Sequence, residues 1–237
     1  MSGAFTGWGQ RSRRLCALAF ERSNIPIIQG FQLAVIGPTV HVGWLERGHI
    51  VKVRESGMPE EALWATFFHP PAILERLLFE RPTDVVEFGC GYGTFTLPAA
   101  QRTVGLVHAI ELDPTMIEFT QTKAEAAGIA NIRFIERDFV ADGTGLLDDT
   151  ADYAMLFNIL HALDPMALLA DAFRLLRPGG LIGAIHWNPS DTPRGPDLSI
   201  RPQPERIAAW INDTGFEIAL LPTALPPYHY GLVGRKS

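Results

Sequence analysis

Beyond Pro82 the chain alternates short apolar runs with amphipathic stretches, a rhythm that signals βαβ units around a buried parallel sheet. The runs predict strands at Asp84–Phe88, Leu106–Glu111, Ile132–Ile135, Tyr153–Phe157, Leu181–His186, Glu217–Leu221 and Tyr228–Val233. Between them, a helix over Thr115–Ala127 stops at Gly128, one over Pro165–Leu176 stops at Pro178-Gly179-Gly180, and a third spans Pro204 to Asn212. No helical pattern separates the last two strands, and Pro222, Pro226 and Pro227 make a short connection, so an antiparallel hairpin is expected at the sheet edge. Upstream, Pro59 to Glu80 divides at Pro70 and Pro71 into two short helices. Leu63, Trp64, Phe67 and Phe68 give the first an apolar face, and Ile73, Leu74, Leu77 and Leu78 the second. Residues 1–50 are glycine-rich and sustain no period of 3.6 or 2, which reads as a loosely ordered or peripheral segment. The expected fold class is α/β: a three-layer sandwich with a seven-stranded, mostly parallel sheet and an antiparallel C-terminal hairpin.

Charge narrows the partners. A formal net charge of −6, with basic residues scattered apart from Arg11, Arg13 and Arg14, argues against nucleic acid, which needs a basic patch to displace counterions. Leu15 to Phe20 is too short for the apolar region of a signal sequence, and prolines and glycines break the uncharged stretch Ile25 to Trp44, so neither a leader nor a membrane span is expected. Cys16 and Cys90 form no disulfide framework and no zinc spacing, in keeping with a reducing, cytoplasmic location. The histidines show no ligand spacing and no Gly-x-Ser-x-Gly elbow is present, so neither a metal nor a serine nucleophile is expected.

The strongest local signal is Val85-Val86-Glu87-Phe88-Gly89-Cys90-Gly91-Tyr92-Gly93-Thr94, a buried strand entering a turn with three alternate glycines. Glycine there lets the backbone bend sharply and a ligand approach main-chain N–H groups. A dinucleotide site prefers Gly-x-Gly-x-x-Gly; here the third glycine comes one residue early. Glu87, two residues before Gly89, repels a pyrophosphate but suits a cationic amino group. S-adenosylmethionine, with an ammonium and a sulfonium, satisfies that charge logic. Glu111 ends the next strand, where a carboxylate can accept both ribose hydroxyls, and Asp138 follows the third strand within reach of an adenine amino group. Each has a plainer alternative: a solvated strand end for Glu111 and a loop aspartate for Asp138.

These residues resemble the class I S-adenosylmethionine-dependent methyltransferases, which have a Rossmann-like fold. Glu87 to Gly93 is similar to their first motif, Ile110-Glu111 to their ribose-binding acid, Arg137-Asp138-Phe139 to their adenine-side loop, and Leu175 to Gly180 to the turn before their fifth strand. The resemblance covers about residues 51–235. It implies a cofactor site made of Glu87, Gly89, Cys90, Gly91, Gly93, Glu111, Leu112, Asp138, Phe139 and Asn158, with Leu112 packed on the adenine and the Phe139 backbone at its edge. It implies methyl transfer to an unidentified small-molecule acceptor by a monomer or homodimer. Arg54 to Pro59, Phe157 to His161 and His186-Trp187 to Arg201-Pro202 look similar to a set of small bacterial methyltransferases that begin near Val51. The expected domain is then residues 51–237, with a helical lid at about 59–80. Val51 becomes an alternative, non-AUG start, which peptides from residues 15–45 of the native protein would overturn.

Candidates for the acceptor side follow from geometry at the carboxyl ends of the strands. His161 can serve as general base for a hydroxyl, amine or thiol, or be a core polar residue bonded to the backbone. Arg194 and Arg201, beside Trp187, can hold an anion or tie down the proline-rich loop. Trp64, Phe67 and Phe68 can form an aromatic lid or an ordinary packed helix. Asn158 lacks the Pro-Pro-aromatic continuation of the DNA- and glutamine-amide methyltransferase motif, which disfavours that substrate class. Two other readings stand beside methyl transfer: a nicotinamide-dependent oxidoreductase, and a non-catalytic protein that binds S-adenosylmethionine.

Overall fold

The computed structural model describes residues 58–237, so the expectations for residues 1–57, including a peripheral segment and a start at Val51, lie outside the described residues. Seven strands form one sheet: β1 (Val85–Phe88), β2 (Val107–Glu111), β3 (Ile132–Glu136), β4 (Ala151–Phe157), β5 (Leu176–Trp187), β6 (Phe216–Leu225) and β7 (His229–Lys236). Their order is β3-β2-β1-β4-β5-β7-β6, parallel through β5 and antiparallel in the last two pairings. The helices are α1 (Glu61–Ala65), α2 (Pro70–Arg76), α3 (Thr96–Ala100), α4 (Pro114–Ala126), α5 (Phe139–Asp142), α6 (Pro165–Leu175) and α7 (Pro204–Asp213).

Both faces of the central strands are covered, and alternate residues serve opposite cores, as the period of two requires. Val86 and Phe88 of β1 join Leu168, Leu169, Ile207 and Ile211 of α6 and α7. Val85 joins Ile73, Leu74, Leu77 and Ala99 on the other face. Glu87 shares that second face, which directs its carboxyl toward α3. The helix starts were legible because their caps are local. Asp113 and Asp164 accept from the backbone N–H groups of Thr115 and Ala167, and a proline opens each helix.

Three expectations need correction. Phe67 and Phe68 lie beyond α1, because Thr66 caps the helix with Oγ1 on the Leu63 carbonyl; Leu63, expected on an apolar face, is 41% exposed. Pro178-Gly179-Gly180 does not separate α6 from the fifth strand. β5 begins at Leu176, and the tripeptide sits in a register slip between the pairings Ala151–Leu176 and Tyr153–Leu181. Pro222 lies inside β6 rather than in the connection. β6 is the edge strand, and its register against β7 slips between Leu220 and Thr223, where a missing N–H leaves no gap in the ladder.

At Gly183 of β5 the sheet contains a close approach that a side chain would obstruct. Tyr153 is buried with its hydroxyl on the Leu77 carbonyl at 2.8 Å, and a Cβ on Gly183 of β5 would fall 2.1 Å from that hydroxyl. Gly183→Ala is expected to destabilise the protein by about 1–3 kcal/mol through overpacking. Adding Tyr153→Phe should recover part of that loss, so a chemical-denaturation cycle returns a favourable coupling between the two sites.

Candidate active site

β1 stands at the centre of the parallel region, with β2 and β3 on one side and β4 and β5 on the other. The crevice at the carboxyl ends of the strands therefore opens where the strand order reverses. It holds a cavity of about 330 Å³, within the range of small-molecule sites. Glu87, Gly89 and Gly91 line it from β1 and its turn, Glu111 and Leu112 from β2, and Asp138 and Phe139 from β3. Asn158 and His161 enter from beyond β4, and Trp187 and Arg194 from β5 and the loop after it.

The turn after β1 is built by glycine at left-handed backbone angles. Gly89, Gly91 and Gly93 have φ of +84°, +48° and +72°. Gly91 faces the cavity, where its N–H donates to Glu111 Oε2 at 3.0 Å. Glu111 Oε1 accepts from the N–H groups of Leu112 and Asp113 at 2.9 and 3.1 Å, so its carboxylate is fixed before any ligand arrives. Gly93 has a different duty. It is not among the cavity-lining residues, and a Cβ there would stand 2.6 Å from Thr120 Cγ2, so this glycine admits α4 against the turn.

Glu87 is 3% exposed, and Thr96 Oγ1 donates to its Oε2 at 2.5 Å. Burial pushes its carboxyl up to about 8, against the Thr96 hydrogen bond and helped by the charge of Glu111. The same burial pushes the neighbouring Cys90 thiol up, so this cysteine is an inert wall rather than a nucleophile. Asp138 is not a free loop residue: its Oδ1 accepts from the N–H groups of Val140 and Ala141 and caps α5. Asn158 has φ of +59°, and its Oδ1 is buried without a partner among the described residues.

On the β4–β5 side the walls are aromatic. Trp187 is 2% exposed, its ring centroid 6.3 Å from that of Trp64 and 5.5 Å from that of Phe67. Trp64 reaches the cavity and donates its Nε1–H to Thr94 Oγ1 at 3.0 Å, which ties α1 to the glycine turn. Phe67 does not line the cavity; it lies behind, among Trp64, Trp187 and Tyr228. Phe68 is equally buried, against Phe95 and His229, so of the three aromatics only Trp64 faces a ligand. The two arginines separate in the same way. Arg201 donates to the carbonyls of Pro196, Asn188, Ser190 and Arg194 and to Thr192 Oγ1, and so ties down the loop. Arg194 is exposed and lines the cavity.

His161 is 9% exposed and lines the cavity; its Nδ1 lies 3.3 Å from Nε2 of His186, and its own Nε2 is buried without a partner among the described residues. Burial first, and Arg201 second, hold its pKa down to about 4. Sequence reasoning missed Thr96 and gave His186 no role. No spacing rule marks either: each acts through a contact made across the fold, Thr96 from α3 and His186 from β5. Among the described residues no cluster of His, Cys, Asp and Glu is arranged for a metal, and no helix is long and apolar enough to cross a membrane.

Comparison with known proteins agrees with this geometry. Residues 85–180 match the family model described as a methyltransferase domain. The chain is 37% identical over 100 residues to the ribosomal protein L11 methyltransferase of Methylococcus capsulatus, covering 42% of this chain and 31% of that protein. It is 30% identical over 136 residues to the aklanonic acid methyltransferase DauC of a Streptomyces species, covering 54% and 60%. The chain thus spans about a third to three fifths of these two curated relatives. A solved S-adenosylmethionine-dependent methyltransferase from Aquifex aeolicus shares the fold with a TM-score of 0.67 at 18% identity, covering 78% of this chain and 97% of that one. Residues 85–180, which begin with β1 and its glycine turn, thus match a methyltransferase domain, and the sheet shares the fold of a solved S-adenosylmethionine-dependent methyltransferase.

Proposed function

We propose that the cavity binds S-adenosylmethionine and that the protein transfers its methyl group to a small-molecule acceptor seated on the β4–β5 side. The observation that carries this reading is the buried Glu87 beneath the glycine turn, in one cavity with Glu111 and Asp138. A buried carboxyl with one hydroxyl partner is satisfied by an ammonium, not by a phosphate. Glu111 then receives the ribose hydroxyls, Asp138 and the backbone of Phe139 meet the adenine edge, and Leu112 packs on its face. Asn158 Oδ1, an acceptor with no protein partner among the described residues, and Gly91, where a side chain would enter the cavity, support the same assignment. Gly89 and Cys90 complete the wall, while Gly93 contributes by letting α4 close on the turn.

The bound cofactor supplies a methyl carbon already activated by a sulfonium. What remains for the protein is to align the acceptor in line with that carbon and to keep water out. Trp64 and Trp187 provide a dry aromatic wall, Arg194 a cation for an anionic acceptor, and His161 a lone pair for its proton. A relative named for aklanonic acid fits an acceptor that carries an acidic group. Substrate in this reading is a small molecule; the cavity of about 330 Å³ is lined on this side by Trp64 of α1 and by Arg194, Gly195 and Pro196 of the loop after β5.

Titration calorimetry with S-adenosylhomocysteine and, separately, NADH tests the pocket. Micromolar binding of S-adenosylhomocysteine alone is expected; binding of NADH alone would make the protein an oxidoreductase instead. Gly91→Val, which puts a branched side chain at φ +48° in the cavity, should abolish that binding and cost about 1–2 kcal/mol of stability while circular dichroism still reports the fold.

Glu87 gives a second expectation with a definite sign. Its carboxyl, pushed up to about 8, keeps its proton at neutral pH in the free protein and loses it on pairing with the ligand's ammonium. Binding therefore releases up to one proton, and the Glu87 contribution to affinity grows as pH rises toward about 8 and then levels off. Calorimetry in buffers of different ionisation enthalpy reads the release directly. Glu87→Gln should abolish it and weaken binding by about tenfold or more.

A further inference from the structure

Two histidines stand in series behind the acceptor side of the cavity. Nδ1 of His161 lies 3.3 Å from Nε2 of His186, and Nδ1 of His186 lies 3.3 Å from the carbonyl oxygen of Trp187. His186 is completely enclosed, and burial, followed by the neighbouring His161, holds its pKa down to about 3. The ring is therefore neutral and carries one proton. A carbonyl oxygen only accepts, which puts that proton on Nδ1 of His186 and leaves its Nε2 a bare acceptor. The contact with His161 then requires the proton of His161 on Nδ1. His161 is neutral as well, so its Nε2 is an unprotonated lone pair. The Trp187 carbonyl thus decides, through two rings, the state of a nitrogen more than one residue away.

The groups around the pair keep both rings neutral. Arg201 acts on His161 and His186, and His229, brought by β7 to pair with Trp187, acts on His186. His229 is itself neutral, its pKa held down to about 3 by burial and then Arg201, and the ring of Tyr230 lies 6.3 Å from His186. No carboxylate is among the groups that shift either histidine, and the Trp187 carbonyl, which favours a protonated His186, is outweighed by burial.

The geometry points to His186 as a positioning residue that locks His161, a residue of the cavity wall, with a bare and buried Nε2, and to a hydroxyl oxygen as the methyl acceptor. This rests on the methyl-transfer reading above. As the O–CH₃ bond forms, the S–CH₃ bond breaks with its electron pair going to sulfur, which leaves as the thioether. The hydroxyl oxygen gains positive charge, its proton becomes strongly acidic, and the proton passes to Nε2 of His161. A bare Nε2 accepts the hydrogen bond that a hydroxyl donates, and then its proton. It does not take one from an ammonium, and a free amine would arrive protonated with no lone pair to offer. A carboxylate needs no base and would be repelled by the Nε2 lone pair. Arg194 at the rim and the aromatic wall then read as holding the rest of a hydroxylated, anionic molecule.

The test is direct observation of the tautomer. Long-range proton–nitrogen correlation spectra of protein labelled with ¹⁵N-histidine, assigned by single histidine variants, should show His161 protonated at Nδ1 and bare at Nε2 at neutral pH. His186→Leu should convert it to a tautomer mixture. His186→Gln, whose side-chain oxygen can accept from Nδ1, should restore the native state. A protonated Nε2 in the unaltered protein, or an unchanged tautomer in His186→Leu, overturns the relay. S-adenosylhomocysteine titrated into the same samples separates this from the function itself: the expected tautomer without binding sinks the methyl-transfer reading and leaves the relay standing. With methyl-labelled S-adenosylmethionine and cell extract, label recovered as a methyl ether supports the hydroxyl assignment, and label recovered as a methyl ester or an N-methyl group overturns it.

Discussion

Glu87, the penultimate residue of β1, holds its carboxyl inside the protein, and among the described residues the hydrogen bond it receives comes from Thr96. Ionising it there would strand a charge in a poorly solvated place, which is why its pKa rises to about 8. A fold gains nothing in stability from such a group; an apolar residue at that strand position would pack without the penalty. On the proposed reading a cation in the cavity offsets that penalty, and the surrounding features serve that end. The glycine turn leaves the space open, Thr96 orients the carboxyl, and Gly93 lets α4 close the far side of the turn against Thr120. Glu111, already bonded to three backbone N–H groups, needs no reorganisation to meet a second polar part of the same ligand.

What could be read from the chain follows the range of the interactions concerned. Strand and helix positions were legible because period, caps and breakers are local. Asp113-Pro114 and Asp164-Pro165 announce helix starts within three residues. The cavity wall formed by β1, β2 and β3 was legible for a related reason. In a βαβ unit the residues that line the crevice sit at strand ends, so Glu87, Gly91, Glu111 and Asp138 occur at fixed places in the pattern. Legibility failed where side chains are apportioned between cavity and core by distant contacts. Nothing in the spacing of Trp64, Phe67 and Phe68 says that Trp187 and Tyr228 will take Phe67, that Phe95 and His229 will take Phe68, and that only Trp64 will reach the cavity. Arg194 and Arg201 were equivalent in sequence for the same reason. The edge position of β6, which accommodates Pro222, depends on β7 being inserted between it and β5, a topological fact with no local signature.

The acceptor side shows how one residue can set both shape and chemistry. Arg201 is buried and makes five hydrogen bonds to the loop that follows β5. Its guanidinium lies 5.8 Å from the Trp187 ring, and Gly195 fits between them because a Cβ there would stand 2.8 Å from the indole. The loop is thereby folded onto Trp187, and Arg194 is carried to the rim of the cavity. The same buried positive charge adds to desolvation in keeping His161, His186 and His229 neutral. A loop anchor with five donors therefore also lowers the basicity of a histidine in the cavity wall. Removing Arg201 would thus alter two things at once, the position of Arg194 and the basicity of His161. Their effects on an acceptor could be told apart only by restoring the loop without the charge.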